Sequence, residues 1–106
     1  MQILTSQQLR EKINSGENFI VDMYADWCGP CRVLGPIVER FANTMKSEGS
    51  SVAVYKYNIE SDRELTSELG IRSVPTIKAF KGGQEVVTKV GVLQEAQLRE
   101  MAQMVL

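Results

Sequence analysis

Between Phe19 and Lys46 the sequence changes its hydrophobic period once, and this change limits the folds open to the chain more than any other feature. Phe19-Ile20-Val21-Asp22-Met23-Tyr24-Ala25 is a mostly apolar run without clean alternation, the pattern of a strand covered on both faces. From about Gly29 to Lys46, Val33, Ile37, Phe41 and Met45 recur every four residues beside Leu34, Val38 and Ala42, a wide apolar stripe of helical period. A buried strand that runs straight into an amphipathic helix calls for a sheet with helices packed on it. Pro36 lies inside the helical stretch, where its missing N–H and its clash with the Arg32 carbonyl predict a bend after the first two turns.

The remaining segments fit the same plan. Thr5 or Ser6 can cap a helix running to about Ser15, with Leu9 and Ile13 on one face and Gly16 as the stop. Ser51 to Ile59 reads as a second interior strand, and Ser61-Asp62-Arg63-Glu64 as a capping box opening a short helix that ends at Gly70. Thr76 to Phe80 and Glu85 to Val90 form a hairpin through Lys81-Gly82-Gly83-Gln84, because Gly-Gly supplies the positive φ of a tight turn. Leu98, Met101, Ala102 and Val105 mark a last helix. The order is strand, helix, strand, helix, strand, helix, hairpin, helix, which predicts an α/β fold built on a mixed sheet with helices on both faces. With 106 residues and no repeat or linker, the expectation is a single domain over 1–106.

Composition removes several functions. The formal charge of −1, with basic residues scattered among acidic ones, argues against a nucleic-acid partner, and no apolar stretch approaches the roughly 20 residues of a membrane span. The amino-terminal residues lack a basic stretch followed by a long apolar run, so a cytoplasmic setting is expected. There is no histidine, which excludes Ser-His and Cys-His catalysis and every His-containing metal site.

The chemistry then falls on Cys28 and Cys31, the only cysteines, in Trp27-Cys28-Gly29-Pro30-Cys31. Three residues apart at the start of a helix, their sulfurs lie over one turn and can close a reversible disulfide. Cys28 falls at the helix N-terminus, where unpaired N–H groups and the dipole favour an anion, and so is expected to be the exposed attacking thiolate. Cys31, one turn in, is expected to be shielded and to resolve the mixed disulfide. Gly29 and Pro30 set the sulfurs apart, and Pro30 suits a first turn whose N–H has no helical partner. A zinc half-site or a cluster shared between chains is the competing account; two thiols supply only half of the four ligands zinc takes, and no metal is expected. Asp22, a carboxylate inside an apolar strand, and Lys56, which interrupts the neighbouring strand, either point outward at a frayed edge or have a use in the interior.

Ala25-Asp26-Trp27-Cys28-Gly29-Pro30-Cys31 resembles the active-site signature of the thioredoxin family. The likeness extends through Phe19 to Asp22, Pro36, Lys56-Tyr57-Asn58-Ile59, Gly70-Ile71-Arg72-Ser73-Val74-Pro75-Thr76, the Gly-Gly hairpin and Lys89-Val90-Gly91, in order over nearly the whole chain. The resemblance implies a thioredoxin fold, a central five-stranded mixed sheet flanked by four helices. It implies that Asp22 is buried behind Cys31 and exchanges protons with it, with Lys56 nearby to modulate it. It further implies that Pro75 is cis and faces the disulfide, and that Trp27, Gly29, Pro30, Val74, Pro75 and Gly91 form a shallow apolar docking surface. Arg32 matches a position usually basic in the family and is expected to act through its charge.

The implied activity is protein-disulfide reduction without a bound cofactor, by a monomer that acts on disulfide-containing proteins and is recycled by a thioredoxin reductase. A redox-independent protein-binding subunit using the same apolar surface is the alternative. Two residues depart from the family pattern: Tyr24 stands where Trp is frequent, and Gln94 where a Ser or Thr cap is common. The second departure is expected to cost the last helix about 0.5–2 kcal/mol.

Overall fold

The computed structural model describes residues 1–106, and its elements follow the expected order: β1 (Ile3–Leu4), α1 (Ser6–Asn14), β2 (Phe19–Tyr24), α2 (Gly29–Ser47), β3 (Ala53–Asn58), α3 (Arg63–Glu68), β4 (Thr76–Lys81), β5 (Gln84–Val90) and α4 (Glu95–Met104). The strands form one five-stranded sheet in the order β1-β3-β2-β4-β5. β2 is central, parallel to β3 on one side and antiparallel to β4 on the other. This placement explains the unbroken apolar run. Ile20 packs with Leu34, Val38 and Phe41 of α2 and Leu98 and Met101 of α4, whereas Phe19, Val21 and Met23 pack with Leu9 of α1 and Leu65 of α3. Each face of β2 thus meets its own pair of helices, and from Phe19 to Met23 no position is left for a solvated side chain, only Tyr24 at its end being partly exposed.

Local chemistry sets the element ends. Thr5 caps α1, accepting from the Gln8 N–H while the Gln8 side chain accepts from the Thr5 N–H. α2 continues through Pro36 as one helix of 19 residues. At α3 the cap is Asp62, whose carboxylate accepts from the Leu65 N–H at 3.1 Å, so the expected Ser61 to Glu64 capping box is displaced by one residue. Ser61 instead turns its hydroxyl to the Asn58 carbonyl, leaving Asp62 at the helix end, where its charge also complements the dipole.

The hairpin turn holds positive φ at both Gly82 (59°) and Gly83 (82°), as a two-residue turn between twisted strands requires. A Cβ on Gly83 would lie 3.2 Å from the Ile13 carbonyl oxygen, so the turn packs on the end of α1 only because it is glycine. At α4 the Gln94 side chain makes no cap bond; the Gln97 side chain closes the turn alone by accepting from the Gln94 N–H at 3.0 Å.

Candidate active site

The active-site segment begins where β2 ends. Ala25-Asp26-Trp27 leaves the carboxyl end of the central strand, Cys28 is the N-cap of α2, and Gly29-Pro30 forms its first turn. Cys28 and Cys31 are joined as a disulfide, with Cα atoms 5.2 Å apart. The Cys31 amide N–H donates to the Cys28 sulfur at 3.1 Å. One of the orphan donors of the helix start is therefore spent on Cys28, and it favours negative charge there when the bridge opens.

The two sulfurs are not divided by exposure as expected: Cys28 is 4% exposed and Cys31 6%. Ala25 joins them in a small apolar cluster against which Tyr24, Ile59 and Val74 pack, and the Val74 carbonyl oxygen lies 3.7 Å from the Cys28 sulfur. Their surroundings differ instead. Cys28 faces Val74 and the helix N-terminus, whereas Cys31 lines a cavity of about 360 Å³ shared with Tyr24, Gly35, Glu39 and Lys56. Ile59 is a site neighbour that periodicity did not reveal; its position just past the carboxyl end of β3 was the available signal.

Asp22 is fully buried, and neither carboxylate oxygen has a hydrogen-bond partner. The frayed-edge account is thereby excluded. Burial pushes its pKa up to about 6, against a downward pull from the Lys56 charge. Lys56 is the register partner of Asp22 on β3 and half-buried, with its ammonium 4.4 Å from the centroid of the Tyr24 ring. Alternation puts Asp22 on the face of Ile20, the face that Leu34 and Val38 of α2 cover, and Cys31 is buried on that same helix one turn before Leu34.

The Val74–Pro75 peptide bond is cis. Trp27 is 66% exposed, Gly29 and Pro30 are open, and Val74 and Gly91 are partly covered. Pro75 itself is buried, so it belongs to the wall behind the expected docking surface, not to its exposed part. The Gly91 N–H donates to the Pro75 carbonyl at 3.0 Å, holding these two segments together. Arg32 is pinned to the Asp26 carbonyl at 2.9 Å.

The family model described as Thioredoxin matches residues 1–104. The chain belongs to the thioredoxin family. It is 42% identical over 90 residues to a thioredoxin of Rickettsia bellii, covering 85% of this chain and 83% of that one. A thioredoxin of Alicyclobacillus acidocaldarius is 38% identical over 95 residues, covering 90% and 88% of the two chains.

Among solved structures, Fasciola hepatica thioredoxin superposes with a TM-score of 0.84 at 31% identity over the full length of both chains. The Malassezia sympodialis thioredoxin gives 0.85 at 28% identity, covering all of this chain and 91% of that one. The thioredoxin fold expected from the signature is therefore the observed one, and with the Cys28–Cys31 pair this member of the family is a thiol–disulfide oxidoreductase acting as a protein-disulfide reductase.

Proposed function

We propose that the reaction divides between the two cysteines as follows. In the dithiol form the Cys28 thiolate attacks one sulfur of a partner protein's disulfide, forming a Cys28–partner bond and releasing the other partner sulfur as a thiolate. Cys31 then loses its proton toward Asp22 and attacks the Cys28 sulfur, which releases the second partner thiol and leaves the Cys28–Cys31 bridge. Two electrons pass from the two cysteines to the partner disulfide; the first partner thiolate takes up from solvent a proton equivalent to the one Cys28 released on ionising, and Asp22 passes the Cys31 proton to the second.

The observation that carries this assignment is the bond from the Cys31 N–H to the Cys28 sulfur, which stabilises charge on Cys28 and not on Cys31. The buried, unpartnered Asp22 supplies the proton acceptor on the Cys31 side, with Lys56 modulating it. Gly29 and Pro30 keep the first turn of α2 stiff and unobstructed.

A partner segment docks over Trp27, Val74 and Gly91, with Pro75 behind them. Neither the N–H nor the C=O of Val74 bonds to the protein backbone, so both are free to pair with an extended substrate chain. The enzyme works as a monomer and one domain, its five strands forming a single sheet. No helix is long and apolar enough to cross a membrane, and the expected setting is the cytoplasm. The bridge is returned to the dithiol by a thioredoxin reductase, which docks on the same surface. Insulin-disulfide reduction tests the division of labour: Cys28→Ser abolishes turnover, and Cys31→Ser accumulates a mixed disulfide through Cys28. Full turnover by Cys28→Ser overturns it.

A further inference from the structure

Asp22 and Lys56 are register partners on adjacent strands, yet they form no ion pair and both Asp22 oxygens lack any partner. The ammonium has gone to the Tyr24 ring, 4.4 Å from its centroid. Tyr24 is two residues beyond Asp22 on β2 and projects from the same face, so the ring stands beside the carboxylate and competes with it for one cation. Ring and ammonium both line the cavity that Cys31 also lines.

We propose that Tyr24 is a positioning residue: its ring holds the Lys56 ammonium in the cavity beside Cys31 and off the Asp22 carboxylate, and so governs proton exchange at Asp22. The proposal rests on the reading of Asp22 as the proton partner of Cys31. It matters that the competing site is a ring face. A carboxylate in its place would neutralise Lys56, whereas the quadrupole of an aromatic ring fixes the cation without cancelling its charge. Lys56 stays close enough to limit the rise in the Asp22 pKa, but too far to pin the carboxylate in its ionised form.

The other charged groups near Asp22 are few. The cavity wall carries Glu39 and Arg32 from α2 and Asp26 from the connecting loop, while Ile77, the β4 residue opposite Asp22, is apolar. Arg32 is tied to the Asp26 carbonyl, so Lys56 is the cation whose position the ring can decide.

The test is an NMR titration of the Asp22 side-chain carboxyl in the full-length oxidised protein, for the wild type, Tyr24→Leu, Tyr24→Trp, Lys56→Gln and Tyr24→Leu/Lys56→Gln. Removal of the ring in Tyr24→Leu lets the ammonium approach the carboxylate and lowers the Asp22 midpoint by about one unit, a tenfold change in proton affinity. Tyr24→Trp retains the wild-type midpoint, and in the Lys56→Gln background Tyr24→Leu has no further effect. An unmoved midpoint in Tyr24→Leu, or a shift of the same size without Lys56, overturns the proposal.

A second measurement needs no variant to fold. The Lys56 Hε protons in the wild type lie upfield through the ring current of Tyr24, and ordinary shifts there overturn the proposal equally. Loss of the proton role itself is separable: Asp22→Asn that resolves mixed disulfides at the wild-type rate at every pH removes Asp22 from the reaction but leaves the NMR coupling intact.

Discussion

Asp22 makes the folded state carry a cost that depends on pH. Its folded pKa of about 6 lies above the ordinary 3.8, so the folded chain binds the proton more tightly than the unfolded chain. Below the unfolded value both states are protonated and the cost is absent; it grows as pH rises from about 4 and is complete above about 6, at roughly 3 kcal/mol for a shift of about two units. Asp22→Asn is therefore expected to stabilise the protein at pH 8 by up to about 3 kcal/mol and by little at pH 4. Urea unfolding of both proteins across this range measures it, and a difference constant with pH contradicts it. The sequence pointed to this residue because a carboxylate in an apolar run is conspicuous. It left open whether the side chain faced inward, since the face of one residue depends on which strands and helices cover it. Cys28 shows the reverse: its place at a helix N-terminus was legible, but its burial was not, because Val74, distant in sequence, supplies the cover.

Elements were the most legible scale, because period and punctuation are written locally. α2 was recognisable from its four-residue apolar repeat, and the β4–β5 turn from Gly82-Gly83. Caps were read less well. Several polar residues near a helix start can each serve as the cap, and the chain path beforehand selects among them, as it selected Asp62 over Ser61. Gln94 is the instructive case, since α4 starts there with no side-chain cap and borrows its closure from Gln97. Gln94→Ser supplies the missing acceptor at a residue whose extended φ and ψ suit an N-cap, and a gain of about 0.5–1 kcal/mol is expected. Thermal unfolding checks it; an unchanged or lower Tm shows that the Gln97 bond already satisfies the helix start.

At the scale of the whole molecule the disulfide closes a very short loop, its cysteines three apart in sequence. Chain entropy alone then favours the oxidised protein by about 2 kcal/mol, because even a loop of this length restricts the unfolded ensemble. Guanidinium unfolding with and without a reductant tests this, and a reduced form of equal or greater stability contradicts it. The sheet order is what joins the pieces of the site. β2 in the middle carries Asp22 and delivers the cysteines, β3 brings Lys56 opposite Asp22, and the segment before β4 sets Val74 against Cys28. By itself the sequence determined the element order, the thiol pair and the family, since these follow from period, punctuation and a contiguous motif. Only the tertiary structure decided that both thiols are covered, that Asp22 stands without a partner, and that Lys56 rests on Tyr24. Burial and the choice between two neighbours for one charge depend on distances between separate strands and helices, which no stretch of the chain encodes alone.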